Sequence, residues 1–529
     1  MVDDPLRAAG GGTPAPAGTR ARRVAELWER PPFLLLAGLL LAVFMASRLA
    51  FFWVYPTVGI SQDLPGYLAA IEQVKHGHWP HFVFRTPLYS LFIGLIKLIT
   101  DRWIFVLYAQ NFLSLAASLA LVGAVRLYRP TLALAATIAM CGFLGSSQVV
   151  LYDVALLSES LYTSCVILAA GFLILSFQRW SPLALALCSA FMALAVLTRP
   201  SGLYFTVIYS LVTVFLLWNR LPGRSIAAFA VPLPVLLLGF CAYNLGTIGS
   251  FTINPFGDSN LAGATALYWE PDPGLPEVVN RAFKELPESY AEADISPAEL
   301  RLLRTSWDRK QVFELYAKAY NRMLWSVGWG TGSRFKAGTY LQTHGFIRDA
   351  AFSAIRRHPD LYAKFVWVNL VEFYRGVGFD FDIRSSLAYR ETGDYSAADA
   401  GAKGAAVPGA AKPEAAWPDR ALNGLQLAWQ WVQDAIFQRL FWSWAYFAVL
   451  ILSAVQLIRS RGRHLGAALL FALALIPLGA SLVVCLVQIA MDRYSYPTQF
   501  AYYLVVALAP LLWQPGAPRR DSTQAQAGA

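Results

Sequence analysis

The sequence predicts an all-α polytopic membrane protein of about ten transmembrane helices, and three observations carry that reading. Apolar runs of about 20 residues recur from residue 32 to residue 513, and about 20 helical residues cross a hydrocarbon core. Of the 529 residues, 57% are hydrophobic and only 14% charged, where a soluble domain carries about a quarter charged. The mean hydropathy is +0.46. Because the runs are continuous rather than alternating, a membrane β-barrel is excluded. A soluble enzyme, a disordered chain and a small disulfide scaffold are excluded with it.

The elements follow in order. Residues 1–31 form a basic tail with Arg20, Arg22 and Arg23. The apolar run 32–53 lacks a small-residue cleavage site and reads as an uncleaved first span. A loop at 54–104 contains the apolar piece Leu88–Thr100, short for a crossing and read as interfacial. Spans are expected at 105–126, 131–151, 160–178, 182–199, 201–218 and 226–247, completing an N-terminal membrane module over 32–247. The region 248–436 reads as a mostly helical outer feature. Its helical patches are Glu299–Met323 and the aromatic-rich Ile355–Tyr374, the second expected to lie at the interface. Residues 396–416 are rich in Ala, Gly and Pro and read as a flexible loop. Spans at 437–458, 465–488 and 496–513 close the membrane part, before a tail at 514–529.

Charge orients these spans. The net charge is +10, yet residues 248–430 hold 20 Lys/Arg against 21 Asp/Glu, leaving 23 basic and 12 acidic residues elsewhere. With ten crossings and the N-terminus inside, Arg126, Arg129, Arg179, Arg220, Arg224, Arg459, Arg461, Arg463, Arg519 and Arg520 share one side with the basic tail. This is the distribution of the positive-inside rule. It places both termini in the cytoplasm. Counting Leu88–Thr100 as a span would break the parity from Arg126 onward. Cys141, Cys165, Cys188, Cys241 and Cys485 fall in or beside apolar runs with no paired spacing, which suggests neither a disulfide framework nor a metal knuckle. His76, His78 and His81 have weak ligand spacing and no completing carboxylate, so no metal is expected. No phosphate-binding loop of the nucleotide type is present.

Ionisable residues at the mouths of spans are costly and tend to be functional. Asp63 follows the first span in Ser61-Gln62-Asp63-Leu64-Pro65-Gly66-Tyr67; on its chemistry alone it is equally a turn or helix-cap residue. Arg85 opens Arg85-Thr86-Pro87-Leu88-Tyr89, with a fork suited to phosphate or to snorkelling at the interface. Asp153 and Glu159 flank the mouth of the span at 160, where a helix N-terminus by itself favours a carboxylate. Arg199 breaks a long apolar stretch in Thr198-Arg199-Pro200-Ser201-Gly202. Asn260 follows the exit of the span at 226–247, and Asp492-Arg493-Tyr494 precedes the last span.

Taken together, these segments resemble the GT-C superfamily of membrane glycosyltransferases, nearest to the bacterial protein-mannosyltransferase and aminoarabinose-transferase group (family 39-like). The likeness lies in the order: Asp63 before Tyr67, then Arg85, Pro87 and Tyr89, then Glu159 in Ser-Glu-Ser-Leu-Tyr, then Thr-Arg-Pro-x-Gly at 198–202, and a late Arg493, Tyr494 and Pro497. It covers roughly 32–260 and 437–513. The resemblance implies an inverting transferase that takes a sugar from a polyprenyl-phosphate donor on the outer face of a bacterial inner membrane and needs no metal or nucleotide. The acceptor is a glycolipid, a polysaccharide or a protein. In that reading Asp63 and Glu159 are the catalytic carboxylates and Arg85, Arg199 and Arg493 meet the donor phosphate. Tyr67, Tyr89, Asp153 and Asn260 meet substrate. The family places an acid before the basic residue of the second motif, and here that position is Phe84. Two other readings stand beside the enzyme: a transporter or flippase of lipid-linked saccharides, and a non-catalytic binder of them.

Overall fold

The computed structural model describes residues 30–54, 59–60, 63–82, 85–254, 257–284, 290–291, 294–328, 340–375, 439–487, 490 and 492–513. Among them the protein is α-helical, apart from a two-residue parallel ladder that pairs Gly59 with Ala155 and Ile60 with Leu156. Among the described residues six helices are long and apolar enough to cross a membrane: Phe33–Ala50, Ile104–Tyr128, Ser158–Gln178, Pro200–Trp218, Gly223–Ile248 and Leu465–Val487. The protein is therefore a membrane protein built from helices. Pro130–Leu144, Pro182–Thr198 and Ser443–Arg459 are shorter apolar helices.

The expected runs 131–151 and 496–513 are interrupted. The run 131–151 is not one helix: Ala133–Leu144 ends at Gly145, and a second short helix, Ser147–Asp153, starts at Ser146, whose side chain accepts from the Val149 amide. The run 496–513 divides into a 3-10 turn at Tyr496–Thr498, a helix at Gln499–Ala507 and a second 3-10 turn at Ala509–Leu512. Pro497 and Pro510 stand at the starts of the two turns, where a missing amide is tolerated. Leu88–Thr100 falls on an 11-residue helix, Pro87–Lys97. At about 1.5 Å per residue it is roughly half a hydrocarbon core long.

Helix Ser158–Arg179 is the hub of the bundle. Its crossing window is 83% buried, against 22% for Phe33–Ala50. It lies between Ile104–Tyr128 and Pro182–Thr198. A Cβ on Gly171 would stand 3.4 Å from the Leu121 backbone, so a small residue is what lets the two helices approach. Two ends of the bundle can be told apart by their contacts. At one, Arg126 Nε donates to the Pro31 carbonyl at 3.0 Å, and Gln178 donates to the Leu127 carbonyl at 2.6 Å. At the other, the start of Ser158–Arg179 meets the end of Pro182–Thr198 and the loop after the first helix.

A second core forms over 262–368, from Ala264, Leu267, Val279, Leu315, Tyr316, Ile347 and Phe365 among others. The patch 299–323 is two helices, Pro297–Thr305 and Arg309–Gly328. The first is started by a capping box in which Ser296 accepts from the Glu299 amide and Glu299 accepts from the Ser296 amide. The patch 355–374 divides at Pro359, the first residue of helix Pro359–Arg375, because proline suits a helix start and breaks an interior. That helix was expected to lie at the interface. It buries Phe365 in the second core and leaves Trp367 exposed. It is tied to the last long membrane helix, Leu465–Val487: Tyr362 Oη donates to the Leu486 carbonyl at 2.6 Å, and the Tyr374 and Ser481 hydroxyls lie 2.9 Å apart. Residues 396–416 lie outside the described residues.

Candidate functional site

The site is assembled by local breaks in regular structure. The ladder of Gly59–Ile60 on Ala155–Leu156 draws the loop after the first helix to the start of Ser158–Arg179. Thr86 Oγ1 donates to the Thr198 carbonyl at 2.7 Å, drawing the segment before Pro87–Lys97 to the end of Pro182–Thr198. Arg199 follows that helix with extended backbone, φ −149° and ψ 131°, as the residue before a proline prefers. A Cβ on Gly202 would lie 3.1 Å from the Val196 backbone, so the return of the chain needs glycine.

Four motifs far apart in sequence meet here. Asp63 Oδ1 accepts from Arg85 Nη2 at 2.5 Å. Although Asp63 stands at the start of helix Leu64–Lys75, its side chain makes no capping bond; the carboxylate is committed to the arginine instead. The Arg85 stem rests on Gly66, where a Cβ would lie 3.3 Å from its Cγ and Nε. Its guanidinium stands over the Tyr67 ring, 5.4 Å from the centroid. Tyr67 Oη donates to Ser158 Oγ at 2.8 Å, and Ser158 Oγ donates in turn to Glu159 Oε2 at 3.4 Å. Arg199 forms an ion pair with Glu159, donates to Ser158 Oγ at 3.3 Å, and lies 5.3 Å from the centroid of the Tyr494 ring. Each arginine thus meets a carboxylate and an aromatic face, and Tyr67 and Ser158 connect the two pairs.

The pairs differ in exposure. The side chains of Glu159 and Arg199 are 0% and 10% exposed, those of Asp63 and Arg85 16% and 30%. Burial pushes the Tyr67 hydroxyl above its usual range, a shift that the nearby Arg85 charge opposes. It therefore stays protonated and remains a donor.

Compared with family models, with curated proteins and with solved structures, the chain matches none.

Not every expected residue joins the network. Asp153 was expected to meet substrate. It is buried in an ion pair with Arg48 of the first helix, and it also accepts from Ser160 Oγ at 2.5 Å. Arg48 Nε donates to Asn111 Oδ1 at 3.3 Å, and Arg48 also donates to the Leu144 carbonyl. This carboxylate is fully engaged in joining helices. Tyr89 is fully buried and donates to Gln110 Oε1 at 2.8 Å. It packs edge-on against Tyr67, with centroids 4.7 Å apart, and both side chains are buried. Asn260 lies with the second core, accepting from Tyr320 Oη at 2.6 Å. Arg493 belongs to the short helix Asp492–Ser495; its side chain, like Phe84, lies outside the described residues. The sequence reading missed Arg48 and Ser158. Arg48 had a signal, being the one charge within the apolar run 33–54. Ser158 had none beyond its neighbour Glu159. His76 Nδ1 lies 2.8 Å from the Glu72 carbonyl, and the described residues hold no group of three or more ligating side chains.

Proposed function

We propose that this chain is an inverting glycosyltransferase with a GT-C-like arrangement of about ten spans. It moves a sugar from a polyprenyl-phosphate donor to an acceptor hydroxyl at the outer face of a bacterial inner membrane. The observation that supports this reading is the convergence of Asp63, Arg85, Glu159 and Arg199 at one end of the bundle, joined by Tyr67 and Ser158. Such a reaction needs a carboxylate base and a fixed cation for the leaving phosphate, both held near the lipid surface.

In this reading Asp63 takes the proton of the acceptor hydroxyl. The acceptor oxygen bonds to the anomeric carbon from the face opposite the leaving group, through an oxocarbenium-like transition state. The bond from that carbon to the phosphate oxygen breaks, and its electron pair leaves with the lipid phosphate, whose negative charge grows. Arg85, the more exposed arginine, meets that charge; losing such a contact costs about 10²–10³ in rate. Glu159 and Arg199 hold Ser158, and through it Tyr67, beneath the reacting groups. The region 248–436 is assigned to acceptor choice because it is the largest feature outside the spans.

The test is sugar transfer by membranes carrying the chain, supplied with extracted polyprenyl-phosphate sugars and read as release of free polyprenyl phosphate. Release above membranes lacking the chain is the expected result. No release with any donor in the pool would sink the reading.

A further inference from the structure

We propose that Gln110 is a positioning residue of the transfer site, its carboxamide holding the segments that carry Asp63, Arg85 and Glu159 in one fixed arrangement. The proposal rests on the glycosyltransferase reading and adds a residue of the membrane core to its machinery.

Gln110 lies in the second turn of the long membrane helix Ile104–Tyr128 and is fully buried. A buried amide is costly unless both of its ends are satisfied, and here they are. Nε2 donates to the Ala155 carbonyl at 2.9 Å and lies 3.5 Å from the Asp153 carbonyl. Oε1 accepts from Tyr89 Oη at 2.8 Å. Backbone carbonyls only accept, so the nitrogen must face them and the oxygen must face the phenol. One side chain gives to one segment and takes from another, which neither an ionised glutamate nor an apolar residue can do.

The partners separate this amide from ordinary glue between spans. Polar residues that join membrane helices bond across to a neighbouring span. Gln110 bonds instead to the segments that bear the motifs. Ala155 stands four residues before Glu159 and pairs with Gly59, itself four residues before Asp63. The Ala155 carbonyl also accepts from the Leu157 amide at 2.8 Å, in the turn that starts helix Ser158–Arg179. A two-residue ladder is marginal by itself, and the amide anchors it to a long helix. Tyr89 stands four residues after Arg85. Its ring meets Tyr67 edge-on, and Tyr67 lies under the Arg85 guanidinium and donates to Ser158. Gln110 acts through these segments and not on the reacting atoms. It sets where the Asp63–Arg85 pair stands relative to the Glu159–Arg199 pair, and a misplacement of about 1 Å can cost about 10² in rate.

The experiment compares wild type, Gln110→Met and Tyr89→Phe, each as the full chain purified into lipid nanodiscs. Gln110→Met keeps the length and removes both bonds. Tyr89→Phe removes the donor to Oε1, keeps the ring against Tyr67, and carries the test if Gln110→Met does not fold. One readout is backbone hydrogen exchange by mass spectrometry, in peptides covering 59–70, 155–163 and, as reference, 165–178. The other is release of free polyprenyl phosphate from extracted polyprenyl-phosphate sugars, resolved into kcat per folded molecule and apparent KM. Gln110→Met should speed exchange about tenfold in the first two peptides and not in the third, the effect of one or two lost hydrogen bonds on local opening. It should lower kcat by about 10–10² with KM within about twofold of wild type. Tyr89→Phe should lower kcat by about two- to tenfold, the worth of one hydrogen bond. Faster exchange in all three peptides with kcat unchanged is the result for a purely structural amide, and it overturns the proposal. A change confined to KM, or a kcat loss without faster exchange in either motif segment, overturns it as well. In each of these cases wild-type release leaves the glycosyltransferase reading standing. No release by the wild type with any donor in the pool sinks both.

Discussion

Replacing Arg48 by methionine isolates the ion pair on which one end of the bundle depends. Arg48 and Asp153 are nearly inaccessible, with side chains 6% and 2% exposed. The guanidinium also holds Asn111 of the second long helix and the Leu144 carbonyl at the end of a third. The carboxylate is also met by the Ser160 and Ser114 hydroxyls. Arg48→Met keeps the apolar stem and removes the charge, which leaves a buried carboxylate with neutral hydroxyls as its main compensation. Breaking a buried pair from one side costs about 3–5 kcal/mol. Arg48→Met with Asp153→Asn removes both charges and keeps a polar partner for Ser160, so the double variant should recover about 1–3 kcal/mol of that loss. The assay is unfolding of the purified protein in one detergent by titration with denaturing detergent, read by tryptophan fluorescence, for wild type, both single variants and the double. An Arg48→Met midpoint equal to wild type would refute the reasoning, as would a double variant as damaged as the sum of the singles.

Three further outcomes follow from the geometry. Tyr67→Phe removes the donor to Ser158 but keeps the ring beneath Arg85, so transfer should fall by about three- to tenfold, the worth of one hydrogen bond; unchanged transfer would remove Tyr67 from the network. A Cβ on Gly263 would lie 2.6 Å from the Tyr320 ring, so Gly263→Ala should cost about 1–3 kcal/mol and speed limited proteolysis within the region 257–375. Asp272 is held below the usual carboxylate range by the Ser353 hydroxyl first, then by the Gly274 amide and Arg357. Its contribution is therefore complete above the ordinary aspartate value and lost as pH falls through its lower folded value. The stability difference between wild type and Asp272→Asn should be constant from pH 5 to pH 8, roughly a unit or more above an ordinary aspartate, and vanish in stronger acid; a difference that grows with pH across that window would contradict the assignment.

Much of this site was legible because polar residues interrupt apolar runs. Asp63, Arg85, Glu159 and Arg199 each stand where a span or short helix begins or ends, and the cost of charge in a membrane makes such positions conspicuous. What pairs with what was not legible. Asp63 and Glu159 each had a local reading as helix-end carboxylates, and only the fold shows that each is turned to an arginine brought in from another segment. Asp153 looked equivalent to Glu159 from its position. It is separated from it by its partner Arg48, on a helix more than 100 residues earlier in the chain. Hydropathy marks where apolar helices lie but not where they divide. The break after Gly145 and the split at Pro359 depend on capping and on proline geometry, which a hydropathy window averages away.

The most direct test compares polyprenyl phosphate release by wild type and Asp63→Asn in membranes with matched expression. The account requires release by the wild type and a loss of about 10² or more in the variant, within the range that a general base contributes. Equal release by both proteins would contradict it, leaving an enzyme whose base is not Asp63.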